Sequence, residues 1–265
     1  MSYAANEKVN EVIFTAVDSI YFKKYAYAWA WSIFKNNMHG HIHVINPSIR
    51  DVKNLKKLKA DTRENINFST GDIDLDLDLP RDKCYFASFR FLYLNRLKKS
   101  YNKIIVTDVD SVIRKKFQFP EEDFGFFLRE SLDSNDQWFV ESTKLAAGIF
   151  YINFNTTKNF NFTNRYLEYL LIFIKQNQWK WMVDQYALYK VFLEIDRLDK
   201  FKIRKFHSTD FCWSFKKSSK IWTGKGKRKN KSKEYLLEYK KYLNEYYKAS
   251  KMSLTERLLN FMDQF

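Results

Sequence analysis

Short apolar runs alternate with longer amphipathic stretches through the first 110 residues. Glu11–Ala16 (EVIFTA), His41–Asn46, Ile66–Thr70 and Lys103–Thr107 (KIIVT) are brief and rich in β-branched or aromatic residues, the pattern of buried strands. Tyr21–Asn37, Asp51–Ala60 and Lys83–Lys99 lie between them with helical periodicity, the last preceded by Pro80. This alternation predicts an α/β sandwich on a mostly parallel sheet. Asp123–Arg129 and Ala146–Phe154 predict two further strands separated by a polar loop, followed by helices over Thr156–Gln178 and Asp184–Ile195. Phe201–His207 and Phe211–Phe215 read as late strands without a helix between each, so the sheet is expected to be mixed. A basic loop, Lys216–Lys233, then leads to helices over Lys233–Lys248 and Ser253–Phe265, the second opened by a Ser253/Glu256 capping box. The expected division is a main domain over 1–232 and a basic helical extension over 233–265.

A chain of 265 residues can bury a substantial core, and 45% apolar with 29% charged residues is ordinary for a globule. No run approaches the length of an uncharged spanning helix. Met1–Asn10 shows no apolar h-region, and two cysteines are too few for a disulfide framework, so a reduced, cytoplasmic setting is the expectation. With 6 glycines the chain has few positions for a backbone phosphate cradle, and it contains neither G-x-G-x-x-G nor a P-loop. The formal charge is +15, and residues 200–265 hold most of it, with 18 Lys and Arg against 6 Asp and Glu. Such a patch attracts phosphates, whether of nucleic acid, lipid headgroups or a sugar nucleotide.

In open α/β sheets ligands bind beyond the carboxyl ends of the strands. Three predicted strand ends deliver polar groups there: Ala16-Val17-Asp18-Ser19, Asp108-Val109-Asp110 and His207-Ser208-Thr209-Asp210. D-x-D occurs four times. Three copies lie within Asp72–Asp78, where acids alternate with Ile and Leu as in a half-buried segment with solvated acids. The fourth follows Ile104-Ile105-Val106 directly, so a stiff strand aims Asp108 and Asp110 at the ligand edge. Two adjacent carboxylates repel, a cost that a hard divalent cation such as Mg²⁺ or Mn²⁺ would offset while also holding a diphosphate.

The segment Tyr85–Leu94 followed by Tyr101–Asp110 resembles the helix and D-x-D strand of the retaining, glycogenin-like family 8 glycosyltransferases of the GT-A fold. Val12–Tyr21 resembles that family's first strand and nucleotide loop. Ala146–Asn153 resembles its N-A-G strand, and Asp184-Gln185 with Leu188 its D-Q-D-h-L-N segment. The resemblance spans roughly residues 10–230. It implies a GT-A-like three-layer sandwich with C-terminal helices, and a hexosyltransferase-type enzyme that moves a sugar from a nucleotide donor, most simply UDP-linked, with retention. It further implies metal ligation by Asp108 and Asp110, with His207 as third ligand and Asp210 as fallback. Donor contacts would come from Ala16, Asp18, Tyr21, Arg90, Val109 and a flexible cationic loop at Lys225, and Asp184 and Gln185 would face the anomeric carbon and acceptor. The expected partners are a nucleotide sugar and a carbohydrate or glycoconjugate acceptor. Peripheral membrane contact through the basic C-terminus is a further expectation, and no nucleic-acid partner is expected. Three positions depart from the pattern: Ala146 replaces its Asn, Tyr186 replaces the third acid of D-Q-D, and the late H-x-x-G-x-x-K-P-W is not intact.

Two other readings compete. Ile104–Ile113 also resembles the first motif of haloacid-dehalogenase-type phosphatases, with Asp108 as nucleophile, Asp110 as acid/base and Asp196/Asp199 as a poor late acid pair. The tail alone could instead serve a nucleic-acid or membrane-surface protein, with Tyr235–Lys248 as an interfacial helix. His41 and His43, on one strand face, are a possible metal pair lacking a third ligand, and Trp179 and Trp181 read as core.

Overall fold

The computed structural model describes residues 10–72, 79–130, 134–224, 226 and 228–250. In chain order the elements are β1 (Glu11–Val17), α1 (Ser19–Lys35), β2 (Gly40–Val44), α2 (Ile49–Asp61), β3 (Ile66–Thr70), α3 (Lys83–Leu92), α4 (Leu94–Leu97), β4 (Lys103–Thr107), β5 (Ser111–Ile113) and β6 (Phe124–Leu128). They continue with α5 (Gln137–Thr143), β7 (Leu145–Asn153), α6 (Phe162–Lys175), α7 (Val183–Leu198), β8 (Ile203–Lys205), β9 (Phe211–Cys212), β10 (Ile221–Thr223), α8 (Arg228–Lys231) and α9 (Lys233–Ala249).

Seven strands form the central sheet in the order β3-β2-β1-β4-β7-β6-β8. β3, β2, β1 and β4 run parallel; β7 is antiparallel to both of its neighbours, and β8 pairs parallel with β6. The sheet is therefore mixed and mostly parallel, as expected. After β3 the chain returns to the far side of β1 to lay down β4, so the topological switch lies between β1 and β4.

The period-2 geometry of the strands divides the core. Val12, Phe14, Ile104 and Val106 enter one cluster with α3, α6 and α7, while Ile13 and Ile105 enter the other with α1, α2 and α9. A helix apolar around its whole circumference must be covered on all sides. α1 meets that condition: it is buried without interruption from Tyr25 to Ile33 and lies between the sheet and α9. Tyr246 of α9 stacks on Tyr27 at 5.1 Å and meets Trp31 edge-on at 5.7 Å, and Tyr239 meets Tyr25 at 5.9 Å. The tyrosine face of α9 is thus spent on α1 while Lys240, Lys241 and Lys248 face solvent. Among the described residues no helix is long and apolar enough to cross a membrane.

Several elements differ from the sequence expectation. The predicted helix over Lys83–Lys99 is interrupted at Tyr93 into α3 and α4. The polar loop before β7 contains α5, capped by Asp136, and the basic loop over Lys216–Lys233 contains β10 and α8. β10 is three residues long and exists through its pairing with β9 and with β5, the latter distant in sequence. The helix expected over Ser253–Phe265, the acids Asp74–Asp78 and Lys225 lie outside the described residues.

Candidate active site

The switch point opens into a cleft of about 620 Å³. Ala16, Asp18 and Tyr21 reach it from the end of β1; Asp108, Val109 and Asp110 from the end of β4; Arg90 from α3; and Asp184 and Gln185 from the first turn of α7. The described residues that the resemblance nominated therefore converge, except His207 and Asp210. His207 does not line this cleft: it stands exposed past β8, and its backbone N–H donates to Asp210. Asp210, the fallback ligand, is itself engaged by Lys220 at 2.8 Å and Arg204 at 3.8 Å, away from the cleft.

Asp18 closes the N-terminus of α1 by accepting from the Tyr21 N–H at 2.7 Å. The Tyr21 ring, 44% exposed, lines the cleft. On the opposite wall Asp82 caps α3 by accepting from the Cys84 N–H at 2.8 Å and also accepts from the Trp179 indole at 3.2 Å. Trp181 is 55% exposed in the cleft rather than in the core, with the Lys83 ammonium 5.3 Å from its ring centre.

Arg90 is almost fully buried, and its guanidinium joins two acids. It donates to Asp108 at 2.6 Å and to Asp184 at 3.1 Å. Burial by itself would pull the pKa of Arg90 down, but Asp108 and Asp184 together hold it above the ordinary arginine value. Asp184 is raised by burial, against the opposing pull of Arg90. Met182, just before α7, sits in the left-handed region at φ 76° and aims the first helical turn inward. Gln185 donates from Nε2 to the Ser142 carbonyl at 3.3 Å, and its Oε1 faces the Ala147 N–H at 3.5 Å, so its amide is oriented from two elements.

Asp108 lies where β7 loses its regular pairing with β6, between Leu145 and Phe150. A Cβ on Gly148 would meet Asp108 Oδ2 at 2.9 Å and the Phe211 ring at 3.0 Å, so the carboxylate occupies space that only glycine leaves. Asp110 is buried. It accepts from the Thr223 hydroxyl at 3.3 Å and from Lys229 Nζ at 2.9 Å. Burial raises its pKa to about 6, Lys229 pulling it down and the charge of Asp108 pushing it up.

A divalent cation at Asp108 and Asp110 would take its remaining oxygens from substrate phosphates and water, provided that both carboxylates were free to face it. Among the described residues no three His, Cys, Asp or Glu side chains are gathered in a way that could hold one. Each acid already faces a cation of the chain, Arg90 for Asp108 and Lys229 for Asp110. The donor set therefore does not fit the expected Mn²⁺ or Mg²⁺ site. The possible pair His41/His43 is likewise consumed internally. Both rings meet the Ser69 hydroxyl, His41 also meets Tyr101 and His43 the Gly71 carbonyl, and burial lowers their pKa values to about 3 and about 4.

The fold has known counterparts. The chain matches a galactosyltransferase, LgtC, solved with donor and acceptor sugar analogues, at a TM-score of 0.63 and 11% identity, over 93% of this chain and 99% of that one. The bifunctional glycosyltransferase WbbM matches at 0.58 and 13% identity, over 94% of this chain and 53% of its own. The glycosyltransferase GlyE of Streptococcus pneumoniae matches at 0.53 and 12% identity, over 91% and 64%. The chain has the GT-A fold. No protein-family profile matches it, and no curated protein matches its sequence. The phosphatase alternative loses its basis here, because Asp196 and Asp199 lie exposed at the far end of α7, outside the cleft.

Lys229, Thr223, Gly224, Asp82 and Met182 are among the cleft residues to which the sequence assigns no role, and Trp181 is one it assigns to the core. Lys229 is one of many cations in a charge run and carries no local signal. Trp181 follows Lys180 in an aromatic stretch that composition alone assigns to the core.

Proposed function

We propose that the protein is a glycosyltransferase that takes its sugar from a nucleoside-diphosphate donor, most simply a UDP-sugar, and delivers it to a carbohydrate or glycoconjugate hydroxyl. The observation that carries this reading is the convergence, at one switch-point cleft of a GT-A fold, of Asp108-Val109-Asp110 with Asp184-Gln185 and the Ala16–Tyr21 loop. In this reading Tyr21 stacks on the nucleobase at the cleft mouth, and Asp18 and Asp108 accept from base and ribose. Arg90 holds Asp108 and Asp184 in fixed relation. The sugar lies toward Asp184 and Gln185. Trp181, Phe86 and Trp213 offer apolar ring faces of the kind that pack on the C–H faces of a sugar acceptor.

In the transfer, the bond from the anomeric carbon to the diphosphate oxygen breaks and a bond to the acceptor oxygen forms. The acceptor proton leaves with the departing diphosphate, and the products are a glycoside and a nucleoside diphosphate. Asp184, buried and paired with Arg90, acts in this scheme by electrostatics and orientation at the developing positive carbon. Retention is the outcome the resemblance implies.

The test is a thermal-shift screen of UDP-, GDP-, ADP- and dTDP-sugars, followed by detection of nucleoside diphosphate release with candidate acceptors. Stabilisation by one base class, lost in Asp108→Asn, is the expected result. The absence of stabilisation by any nucleotide sugar would remove the reading.

A further inference from the structure

Asp110 is the carboxylate from which a metal-dependent transferase of this fold would be expected to hold its cation, and here it faces an amine of its own chain. Lys229 Nζ lies 2.9 Å from Asp110 Oδ2, with the lysine side chain 15% and the aspartate side chain 8% exposed. The ammonium also stands 5.1 Å from the Tyr21 ring centre and 4.9 Å from that of Tyr25. One donor thus goes to a carboxylate and the flanks are covered by two aromatic faces, while the side chain still lines the cleft.

This placement is built by the backbone around it. The Gly224 N–H donates to the Asp110 carbonyl at 3.2 Å, and the Tyr235 hydroxyl donates to the same carbonyl at 2.6 Å. The segment carrying Lys229 is therefore tied on both sides to the residue it neutralises. A Cβ on Gly224 would meet the Cβ of Lys229 at 2.7 Å and the Tyr235 hydroxyl at 3.1 Å. Any other residue at 224 would displace the lysine. The adjacent rim is also cationic: Arg129 lies over Trp213 at 5.3 Å, and its pKa is lowered by burial and by the neighbouring charge of Arg228.

Resting on the nucleotide-sugar reading, we propose that the Lys229 ammonium takes the place of the divalent cation, so that the donor diphosphate is bound without metal by a cation the chain supplies. A lysine ammonium is a compact point charge with three donors, suited to bridging a carboxylate and a phosphate oxygen. It would neutralise charge that builds on the leaving diphosphate from a fixed position, with no ion to recruit.

The experiment has two readouts on the full chain. Titration of free Mn²⁺, followed by its electron paramagnetic resonance signal, is expected to show no specific uptake by the wild type. Calorimetric titration of UDP, GDP, ADP and dTDP is expected to give, for the nucleotide that binds, the same affinity in EDTA as in Mn²⁺. Lys229→Met is expected to weaken that affinity in EDTA by about ten- to a hundred-fold, and Lys229→Arg by less, since it keeps the charge. Specific Mn²⁺ uptake, or wild-type nucleotide binding abolished by EDTA and restored by Mn²⁺, would overturn the proposal while leaving the transferase reading intact. Undiminished binding by a folded Lys229→Met would do the same. If Lys229→Met does not fold, the wild-type EDTA comparison and Lys229→Arg decide. Absence of binding by every nucleotide under both conditions would overturn this proposal together with the transferase reading.

Discussion

Arg90 and Asp108 belong to different elements, α3 and the end of β4, yet their side chains meet at 2.6 Å in the floor of the cleft. The same guanidinium reaches Asp184 at 3.1 Å, so one cation serves two carboxylates from three segments of the chain. Removing one member of such a buried group leaves uncompensated charge. Arg90→Met is expected to cost about 3 kcal/mol in urea unfolding at neutral pH. Asp184 already has a raised pKa from burial, and losing Arg90 raises it further. A raised carboxyl favours the folded state at low pH, and that contribution is lost as pH rises through the folded value. The deficit of the variant should therefore shrink as pH falls below neutrality. Arg90→Lys should recover only part of it, because an ammonium cannot fork between two carboxylates.

The Asp110–Lys229 pair sets a second pH dependence. Asp110 has its pKa raised to about 6 by burial even with Lys229 present. Its protonated form is thus favoured by folding, and the associated stability declines as pH rises from about 4 through about 6. Lys229→Met removes the group that opposes this shift, so the folded pKa should rise above its wild-type value. Wild type and variant should differ most above pH 6 and converge near pH 4, where Asp110 is protonated in both. Thermal unfolding across that range is the measurement, with Asp108, Thr223, Tyr25 and Tyr235 held as wild type because they act on the same carboxyl, and Tyr21 because its ring faces Lys229.

Gly148→Ala places a methyl group 2.9 Å from Asp108 Oδ2 and 3.0 Å from the Phe211 ring. The carboxylate and ring must shift, at an expected cost of about 1–3 kcal/mol. Because Asp108 is the displaced group, nucleotide affinity should fall by more than the stability loss explains. Denaturation and calorimetric titration on the same sample separate the two effects.

Helix α9 contributes to the site through one hydroxyl. Tyr235→Phe keeps the ring but removes the 2.6 Å bond to the Asp110 carbonyl, leaving that carbonyl with the Gly224 N–H. A stability loss of about 1 kcal/mol is expected, together with weaker nucleotide binding. Tyr246→Ala, distant from the cleft, should cost about 3–5 kcal/mol by emptying the stack on Tyr27 and Trp31. Its nucleotide affinity, measured where it is folded, should be unchanged.

Trp181 is exposed, so Trp181→Ala should alter stability by no more than about 0.5 kcal/mol. If it packs against the acceptor sugar, the KM for acceptor should rise while the KM for donor does not. Equal effects on both would place the acceptor elsewhere.

The sequence by itself determined the sheet's strands and the direction of their contents. Glu11–Val17 and Lys103–Thr107 are legible because a strand covered on both faces must be apolar over most of its short length, whatever it pairs with. A stiff strand ending in Asp108 and Asp110 is local information, whereas the capping role of Asp18 came from the structure. What only the tertiary structure decided is which charges face which. Arg90 reaches Asp184, 94 residues onward, and Lys229 reaches Asp110 across 119 residues, and neither pairing leaves a periodic trace in the chain. His207 follows a strand as a ligand should, but β8 lies at the far edge of the sheet, three strands from β4. Among so many lysines, the one that reaches Asp110 is chosen by a missing side chain at Gly224 and by a three-residue strand that exists only through its neighbours. Burial and pairing are properties of the folded packing, and the chain encodes them only through contacts distant in sequence.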